Sequence, residues 1–353
     1  MDELGEFSPA QPVGAFDADS NIVNSEVEIR LSTGSSVVLD TRAPIADAAD
    51  LESAASGIGV FCLATSYLNG TEARFPIDWS AGTDSWSVWM DNVESTAHGG
   101  HLYMTSSPEN VYYYPSGNLH RYTFYSYYPR QESVGYDHSR ITTTIALDGT
   151  QDIMWGASTP DMRDFQKYRV SYSAMYYREV ADPIDPSISF NHQMAWLKFK
   201  IRSEANNDND ATRFGLVSLK LLDMPSTARL TIADLDDPTA DGSIEYSGST
   251  TYTLMDAGDT DLAFLNGSTG TGYWITGASL ENQDFIGQGI CIPAGLTEID
   301  LKITLLRKSD GSRYSQTITK NIGELFAAPM SAGHTYTLNI TVTRVGGLIV
   351  NGE

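Results

Sequence analysis

The sequence predicts an all-β fold, and two patterns carry this prediction. Apolar residues recur at every second position in several segments, which places them on one face of a strand. Asp-Gly and Asn-Gly pairs lie between many of these segments and favour the tight turns of β-hairpins. Hairpins at this spacing are typical of β-sandwiches and not of parallel sheets with crossover helices.

The alternation is clearest in three segments, at 27–31, 197–201 and 299–305. Each alternates apolar residues with charged residues or threonine, so each predicts a strand with one face in water. The turn pairs lie at 69–70, 148–149, 241–242 and 310–311. Short helices are predicted only at 321–328, ahead of Pro329, and at 45–56.

The length of 353 residues predicts two domains. Segment 182–186 reads Asp-Pro-Ile-Asp-Pro, and its prolines lack the backbone donor that a strand ladder requires. We therefore expect a boundary here, with one domain at 1–185 and the other at 186–353. Tyrosines are abundant in the first half, and we expect most of them to pack rings into the core with hydroxyls at its rim.

Composition excludes several classes of partner. Lys and Arg number 22 against 45 Asp and Glu, and the net charge of −23 repels nucleic acid and anionic membrane surfaces. The two cysteines, Cys62 and Cys291, fit no metal-binding spacing, and they are either one buried pair or two inert thiols. No apolar run reaches about 18 residues, so no membrane span is predicted. The first residues lack the features of a signal peptide, which fits an export signal already removed.

Candidate sites for metals and catalysis are weak. His98 and His101 flank two glycines and have no recognisable third ligand, so no metal is predicted there. The acidic segment 234–243 resembles a calcium loop loosely, and a solvated turn explains it better. No nucleophile elbow, phosphate loop or zinc motif is present, so no catalytic residue and no cofactor is predicted.

Two terminal features are more informative. Arg42 and Ala43 follow the first predicted strand in a segment of small residues, and an exposed Arg in a loop is a protease target. Near the other end, alternating apolar residues form one face of a predicted strand, and a glycine pair leads from it to a second apolar stretch at 348–350. The alternating residues are Tyr336, Leu338, Ile340 and Val342.

Several motifs occur in an order that resembles the fimbrillin-like (Mfa-like) family of type V pilins, which Gram-negative bacteria export. The motifs lie at 39–44 with 58–61, at 113–115 with 121–129, at 151–156, at 188–201 and at 332–342. They span most of the chain. Unlike many relatives, this sequence does not continue into a further strand with a Trp after 346–347.

The resemblance implies two tandem transthyretin-like Greek-key β-sandwich domains. It also implies export as an outer-membrane lipoprotein precursor and, after processing, a place in a cell-surface fimbria. In such pilins an arginine-specific protease removes the first strand, here about 20–42, by cutting between Arg42 and Ala43, with Arg30 a poorer candidate. The strand that carries Tyr336, Leu338, Ile340 and Val342 in another subunit then fills the gap.

We therefore expect a structural pilus subunit and not an enzyme, with other pilin subunits, the protease and a host or bacterial surface ligand as partners. One alternative is a surface glycan-binding lipoprotein, suggested by aromatic residues that include Trp86, Trp89 and Trp155. A second is a hydrolase with two carboxylates that the fold brings together.

Overall fold

The structure is a computed structural model, and most of its residues form strands. It describes residues 27–33, 45, 48–54, 56–68, 71–74, 88–104, 111–114, 121–137, 139–158, 172–204, 214–234, 236–258, 273–277, 279–282 and 284–353. Short helices are the only other regular elements in this part of the chain. The all-β prediction is therefore confirmed.

The elements are numbered along the chain. Up to residue 192 they are β1 (Leu31–Thr33), α1 (Ala48–Glu52), β2 (Ile58–Leu68), β3 (Thr71–Arg74), β4 (Val88–His98), β5 (His101–Met104), β6 (Arg121–Tyr128), β7 (Gly135–Asp137), β8 (Arg140–Ala146), β9 (Met154–Ala157), α2 (Ala174–Glu179), β10 (Ser187–Ile188) and β11 (Asn191–His192). From residue 194 they are β12 (Met194–Ser203), β13 (Phe214–Met224), β14 (Thr227–Asp234), β15 (Ile244–Ser247), β16 (Thr250–Asp256), β17 (Tyr273–Trp274), β18 (Ile290–Pro293), β19 (Glu298–Arg307), β20 (Arg313–Asn321), α3 (Ile322–Phe326), β21 (Thr335–Val342) and β22 (Leu348–Gly352).

The first sheet is curved so that its two ends approach each other. Its strand order is β10-β1-β5-β4-β2-β6-β9-β11, with β3 paired to β2. An antiparallel bridge between Ser158, just after β9, and Ile188 in β10 joins the two sides. Many aromatic side chains fill the core on one side of this sheet, among them Tyr114, Tyr122, Phe124, Tyr172, Tyr176 and Phe190. These tyrosines pack their rings into the core, as the sequence analysis expected for most of them.

The second half contains two sheets that share one core. One has the order β18-β12-β21-β22, and the other has the order β16-β13-β19-β20, with β17 also paired to β13. Alternation in β12 and β19 directs Leu197, Phe199, Leu301 and Ile303 into the core between them.

A fourth sheet joins the two halves of the chain. Its order is β15-β14-β8-β7, and β8 from the first half pairs with β14 from Thr227↔Ala146 to Asp234↔Arg140. Strands β10 and β11 also follow residue 185 in the chain but pair with β1 and β9. The boundary between 185 and 186 and the two Greek-key domains stay predictions, and the structure adds that paired strands cross this point.

Local signals predicted two of the three α-helices in the described residues, and helix α2 at Ala174–Glu179 was not predicted. Helix α3 lies in the predicted segment 321–328, and Asn321 begins it by accepting hydrogen bonds from Gly323 N and Glu324 N at its Oδ1. Helix α1 lies in the predicted segment 45–56. No helix of the described residues is long and apolar enough to span a bilayer.

The two cysteines are separate, free and buried. Cys62 belongs to the core of the first sheet, and Cys291 belongs to the core of the second half. Burial raises the pKa of both thiols well above the usual value. The alternative of two inert thiols, left open by the sequence, is therefore the one the structure supports.

Candidate functional site at the first and last strands

Strand β1 is an interior strand of the first sheet, although it is only three residues long. Leu31 and Ser32 pair with Leu102 and His101 of β5, and on the other side Ser32 and Thr33 pair with β10. Ser32 N donates to Pro186 O at 2.9 Å, and Thr33 N donates to Gly100 O at 2.9 Å. Both edges of β1 are therefore hydrogen bonded.

The residues just before β1, 27–29, are hydrogen bonded to the backbone of residues 112–114. Ile29 N donates to Tyr112 O at 2.8 Å, and Tyr114 N donates to Val27 O at 2.9 Å. Trp89 Nε1 donates to Tyr113 O at 2.7 Å and so holds the segment that receives 27–29 in place. The first described residues thus form a continuous paired ribbon, residues 27–33, along the core of the first sheet.

The side chains of this ribbon alternate as the sequence predicted. Ile29 and Leu31 are 2 % and 1 % exposed, whereas the Arg30 guanidinium lies outside and pairs with Glu28 at 2.9 Å. Hydrogen bonding to Glu28 raises the pKa of Arg30. Burial of two such aliphatic side chains contributes about 3–6 kcal/mol. If the ribbon left, β5 and β10 would each lose a partner strand and the core would be open between them.

The predicted cleavage residues, Arg42 and Ala43, lie outside the described residues. The described strand β1 lies inside the predicted first-strand segment of about 20–42. Removal of this strand by a protease stays a prediction.

Strand β21 carries the four residues predicted to fill a neighbour's gap. It lies between β12, to which it is parallel from Trp196↔Thr335 to Ser203↔Val342, and β22. Leu338, Ile340 and Val342 are each 0 % exposed, and Tyr336 is half-buried with its hydroxyl accepting from Ser331 N at 2.9 Å. In this structure Leu338, Ile340 and Val342 lie in the core that the two sheets of the second half share, and Tyr336 packs against it.

Strand β22 ends this sheet within the described part of the chain. It pairs with β21 from Leu338↔Gly352 to Val342↔Leu348, and Thr337 and Glu353 exchange two backbone hydrogen bonds of 2.9 Å. Val350 is 3 % exposed, but Ile349 is 48 % exposed. Within the described residues, the apolar stretch at 348–350 is therefore paired with β21 along one edge only. One of its faces packs into the core, and the other is exposed to solvent.

A tight turn connects these two strands. Thr343 N donates to Gly347 O at 2.8 Å, and Gly346 N donates to Thr343 O at 2.9 Å. Gly346 has φ +85, and a Cβ atom there would lie 1.9 Å from Tyr314 Oη. Glycine is required at 346 for both reasons, whereas Val345 beside it is 84 % exposed.

A family profile described as fimbrillin-like matches residues 41–353. The chain belongs to the fimbrillin-like family. Its fold resembles a Bacteroides vulgatus fimbrial protein at TM-score 0.52 and 14 % identity, covering 92 % of this chain and 98 % of that one. It also resembles a Bacteroides uniformis protein classed with cell adhesion proteins at TM-score 0.50 and 15 % identity, covering 93 % and 97 %. Comparison with curated proteins gives no match.

The weaker candidates in this fimbrillin-like protein lie in turns between strands. His98 and His101 face each other across the β4–β5 turn, and His98 Nδ1 lies 3.5 Å from Glu52 Oε2. The acidic segment after β14 is held by Asp234, whose Oδ1 accepts from Asp236 N and Asp237 N. Among the described residues no group of three His, Cys, Asp or Glu could hold a metal.

The tryptophans that suggested glycan binding are also used in packing where they are described. Trp89 is 4 % exposed, and Trp155 Nε1 donates to Ile232 O at 2.9 Å while its ring lies against Gly242. Trp86 lies outside the described residues. The structure also contains a buried pair that the sequence did not reveal, in which His192 Nδ1 lies 3.0 Å from Asp152 Oδ1. No local pattern could have found it, because the two residues are 40 positions apart.

Proposed function

We propose that this fimbrillin-like chain is a structural subunit of a cell-surface fimbria and that it assembles by strand exchange. The observation that carries the proposal is the position of β1, a short interior strand with buried Leu31 near one end of the chain. A strand of three residues is held by few backbone pairs and few buried side chains, so a cut in the chain after it should allow it to be exchanged. The proposal assigns the chain no catalytic role and no cofactor.

In the proposed mechanism, an arginine-specific protease cuts between Arg42 and Ala43. The ribbon that includes Ile29 and Leu31 then stays by non-covalent contacts alone and can dissociate. Its departure leaves unpaired edges on β5 and β10, which are costly to expose and ready to accept a new strand. Because donor and acceptor are different segments of the subunit, the contact is head to tail and propagates as a filament instead of closing into a ring.

The proposed donor is the C-terminal hairpin of another subunit. Tyr336, Leu338, Ile340 and Val342 supply the alternating side chains that enter the gap, each contributing about 1.5–3 kcal/mol when fully buried. Three of them are already buried in their own core, so they must regain that energy in the neighbour. Strand β22 has one paired edge and one deeply buried side chain, Val350, so we propose that it detaches first.

The proposal also includes a cellular location and a set of partners for the protein. It is exported as an outer-membrane lipoprotein precursor, processed by the protease, and incorporated into a fibre with other pilin subunits. Adhesion to a host or bacterial surface ligand is an added role of the assembled fibre. Nucleic acid is not among the proposed partners, because the net charge of −23 repels its phosphates.

The processing step is tested by treating the folded full chain with an arginine-specific endoprotease and sequencing the new N-terminus. We expect Ala43 as the first residue, and we expect Arg42→Ala to abolish this product. Arg30→Ala is the matched control, because Arg30 is exposed and precedes β1 yet should not affect cleavage at Arg42. A wild-type product that begins at Leu31 would contradict the assignment.

The exchange step is tested by the reactivity of Cys62, which is 0 % exposed and belongs to the same core as Ile29 and Leu31. In a Cys291→Ala chain cut at Arg42, maleimide labelling of Cys62 should accelerate, and a peptide of residues 336–350 should suppress it. A peptide at about 100 times its Kd stabilises by about 2.7 kcal/mol, so the melting temperature should also rise by several degrees.

Two controls make this result specific. A Cys62→Ala chain retains Cys291 in the other core, whose labelling should not change on cleavage. A peptide with Leu338 and Ile340 replaced by Asp should neither protect Cys62 nor raise the melting temperature. Equal labelling of Cys62 before and after cleavage, with the leading segment gone, would show that no gap opens.

A further inference from the structure

A cleft in the second half of the chain has the size of a small-molecule site. Strands β16 and β17, which both pair with β13, line it together with Ile201 of β12 and residues 284–287. Its volume is about 780 Å³, which is in the usual range for ligand sites. It is distant in sequence from the ribbon at 27–33, so binding there can be measured without strand exchange.

The lining of this cleft is apolar where it is buried and mostly polar where it is exposed. Ile201 and Ile286 are 2 % and 3 % exposed, and Trp274 and Phe285 add two half-buried aromatic rings. The polar side chains of the lining are all exposed, and they are Thr253, Asp256, Thr276 and Asp284. The cleft therefore suits a ligand with an apolar face and polar groups around it.

The lysines near the cleft have partners within the protein. Lys220 forms an ion pair with Asp256, and Lys200 Nζ donates to Leu280 O at 3.1 Å. Lys198 and Lys200 also place Nζ 4.8 and 4.9 Å from the centre of the Phe285 ring, and Lys308 Nζ lies 5.6 Å from the centre of the Trp274 ring.

This arrangement favours an uncharged ligand. The described residues that line the cleft include two aspartates and no lysine, so an anion would meet only like charge. A cation would approach Trp274 and Phe285, whose rings already have ammonium groups over them, and those groups would repel it.

Asp284 supplies the acceptor that such a ligand would use. Its side chain is exposed and forms no hydrogen bond or ion pair with any other described residue. A carboxylate accepts hydrogen bonds and donates none, so its complement is a ligand hydroxyl or N–H group. A purely apolar ligand would cover Asp284 without offering a donor, which is unfavourable.

We propose that this cleft binds a neutral saccharide. A sugar ring carries C–H groups on its faces and hydroxyls around its edge. One face would lie against Trp274 and Ile286, and the hydroxyls would reach Asp284 and Thr253. The proposal gives a ligand class to the adhesion role proposed above, and it does not depend on strand exchange.

The proposal is tested on the full chain by calorimetry and tryptophan fluorescence. The neutral probes are maltotriose, lactose and tri-N-acetylchitotriose, and we expect at least one to bind with a Kd of about 1 mM or tighter. Sialyllactose is the anionic counterpart of lactose, and the deacetylated chitosan trimer is the cationic counterpart of the third probe. Absence of binding by all three neutral probes at millimolar concentration, or tighter binding of the charged member in either pair, would overturn the proposal.

Variants locate the binding in the cleft. Trp274→Ala should weaken binding at least tenfold. Asp284→Ala should weaken it several-fold and should not affect folding, because this side chain is exposed and has no partner among the described residues. Glu132→Ala removes an exposed carboxylate outside the cleft and is the matched control, which should leave the affinity unchanged. Wild-type affinity in the Asp284→Ala chain, and in any Trp274→Ala chain that melts like the wild type, would also overturn the proposal.

Discussion

Leu31 of β1 lies directly opposite Leu102 of β5, and both side chains belong to the core of the first sheet. They are 1 % and 4 % exposed. The pair joins the beginning of the described chain to the hairpin at 98–101, so a three-residue strand is anchored by core packing as well as by its hydrogen bonds. Dissociation of β1 would therefore break this contact as well as the hydrogen bonds of the strand.

Leu31→Ala should destabilise the uncut protein by about 2–5 kcal/mol, because it removes buried methyl groups and leaves a cavity. Urea denaturation followed by tyrosine and tryptophan fluorescence measures the effect. Arg30→Ala is the control, since its side chain is exposed and its ion pair with Glu28 is worth about 0–1 kcal/mol. Equal effects of the two changes would mean that β1 is not packed as described.

The last two strands, β21 and β22, should differ in how much each contributes to the stability of the chain. Ile340→Ala in β21 should cost about 2–5 kcal/mol because this side chain is fully buried between two strands. Val350→Ala in β22 should cost less, about 1–2 kcal/mol, since fewer methyl groups are removed from an end strand. Ile349→Ala, at an exposed position, should change the free energy of unfolding by about 0.5 kcal/mol or less. A larger loss at 350 than at 340 would argue against β22 as the first strand to detach.

Gly346→Ala should destabilise the hairpin more than Gly311→Ala does. Both glycines have positive φ, +85 and +68, so both changes share a backbone penalty of about 1 kcal/mol. Only at 346 would the new Cβ also collide with Tyr314 Oη, whereas nothing lies within 4 Å at 311. Thermal denaturation of the two variants compares them, and equal melting temperatures would contradict the close approach to Tyr314.

The turn after β14 should contribute to loss of stability in acid. Burial alone would raise the pKa of Asp234, but hydrogen bonds from Asp237 N, the Arg140 guanidinium and Asp236 N outweigh it, so the pKa is lowered. A carboxyl whose pKa is lower in the folded state stabilises above its unfolded pKa, about 3.9, and loses this contribution as the pH falls through the folded value.

Asp234→Asn should therefore reduce stability at pH 7 and flatten the decline of stability between about pH 5 and pH 2. Urea denaturation across this range measures both effects. Glu132→Gln, at an exposed position, is the control. An unchanged slope in the Asp234→Asn chain would show that the contacts of this carboxylate do not stabilise the fold.

Local patterns were sufficient for the strands and for the class of protein. The alternation at 299–305 predicted a strand there, and β19 covers it as Glu298–Arg307 because apolar side chains at every second position can share one buried face. Pro329 likewise predicted the end of a short helix at 321–328, and α3 lies there as Ile322–Phe326. The order of short motifs identified the family, and the profile match over 41–353 agrees with it.

Pairing over long distances was not available from these patterns. Strand β8 has the same alternation whether it pairs within the first half or with β14, and the structure pairs it with β14. Whether Cys62 and Cys291 form a disulfide also depends on the tertiary structure, which places them in two separate cores. The same holds for the four lysines near Trp274, Phe285 and Asp256, which come from separate parts of the chain.

The sequence by itself determined that this protein is built from strands, that its net charge is strongly negative, and that it resembles fimbrillins. These properties follow from the period of the apolar residues, from composition and from the order of short motifs, none of which depends on long-range pairing. Only the tertiary structure decided that Leu31 packs against Leu102 and that Ile340 is buried on a strand between β12 and β22. The physical reason is that every strand edge offers similar N–H and C=O groups, so a given strand could pair with several strands that are distant in sequence. The pairing that forms depends on which arrangement buries the most apolar surface in the whole chain.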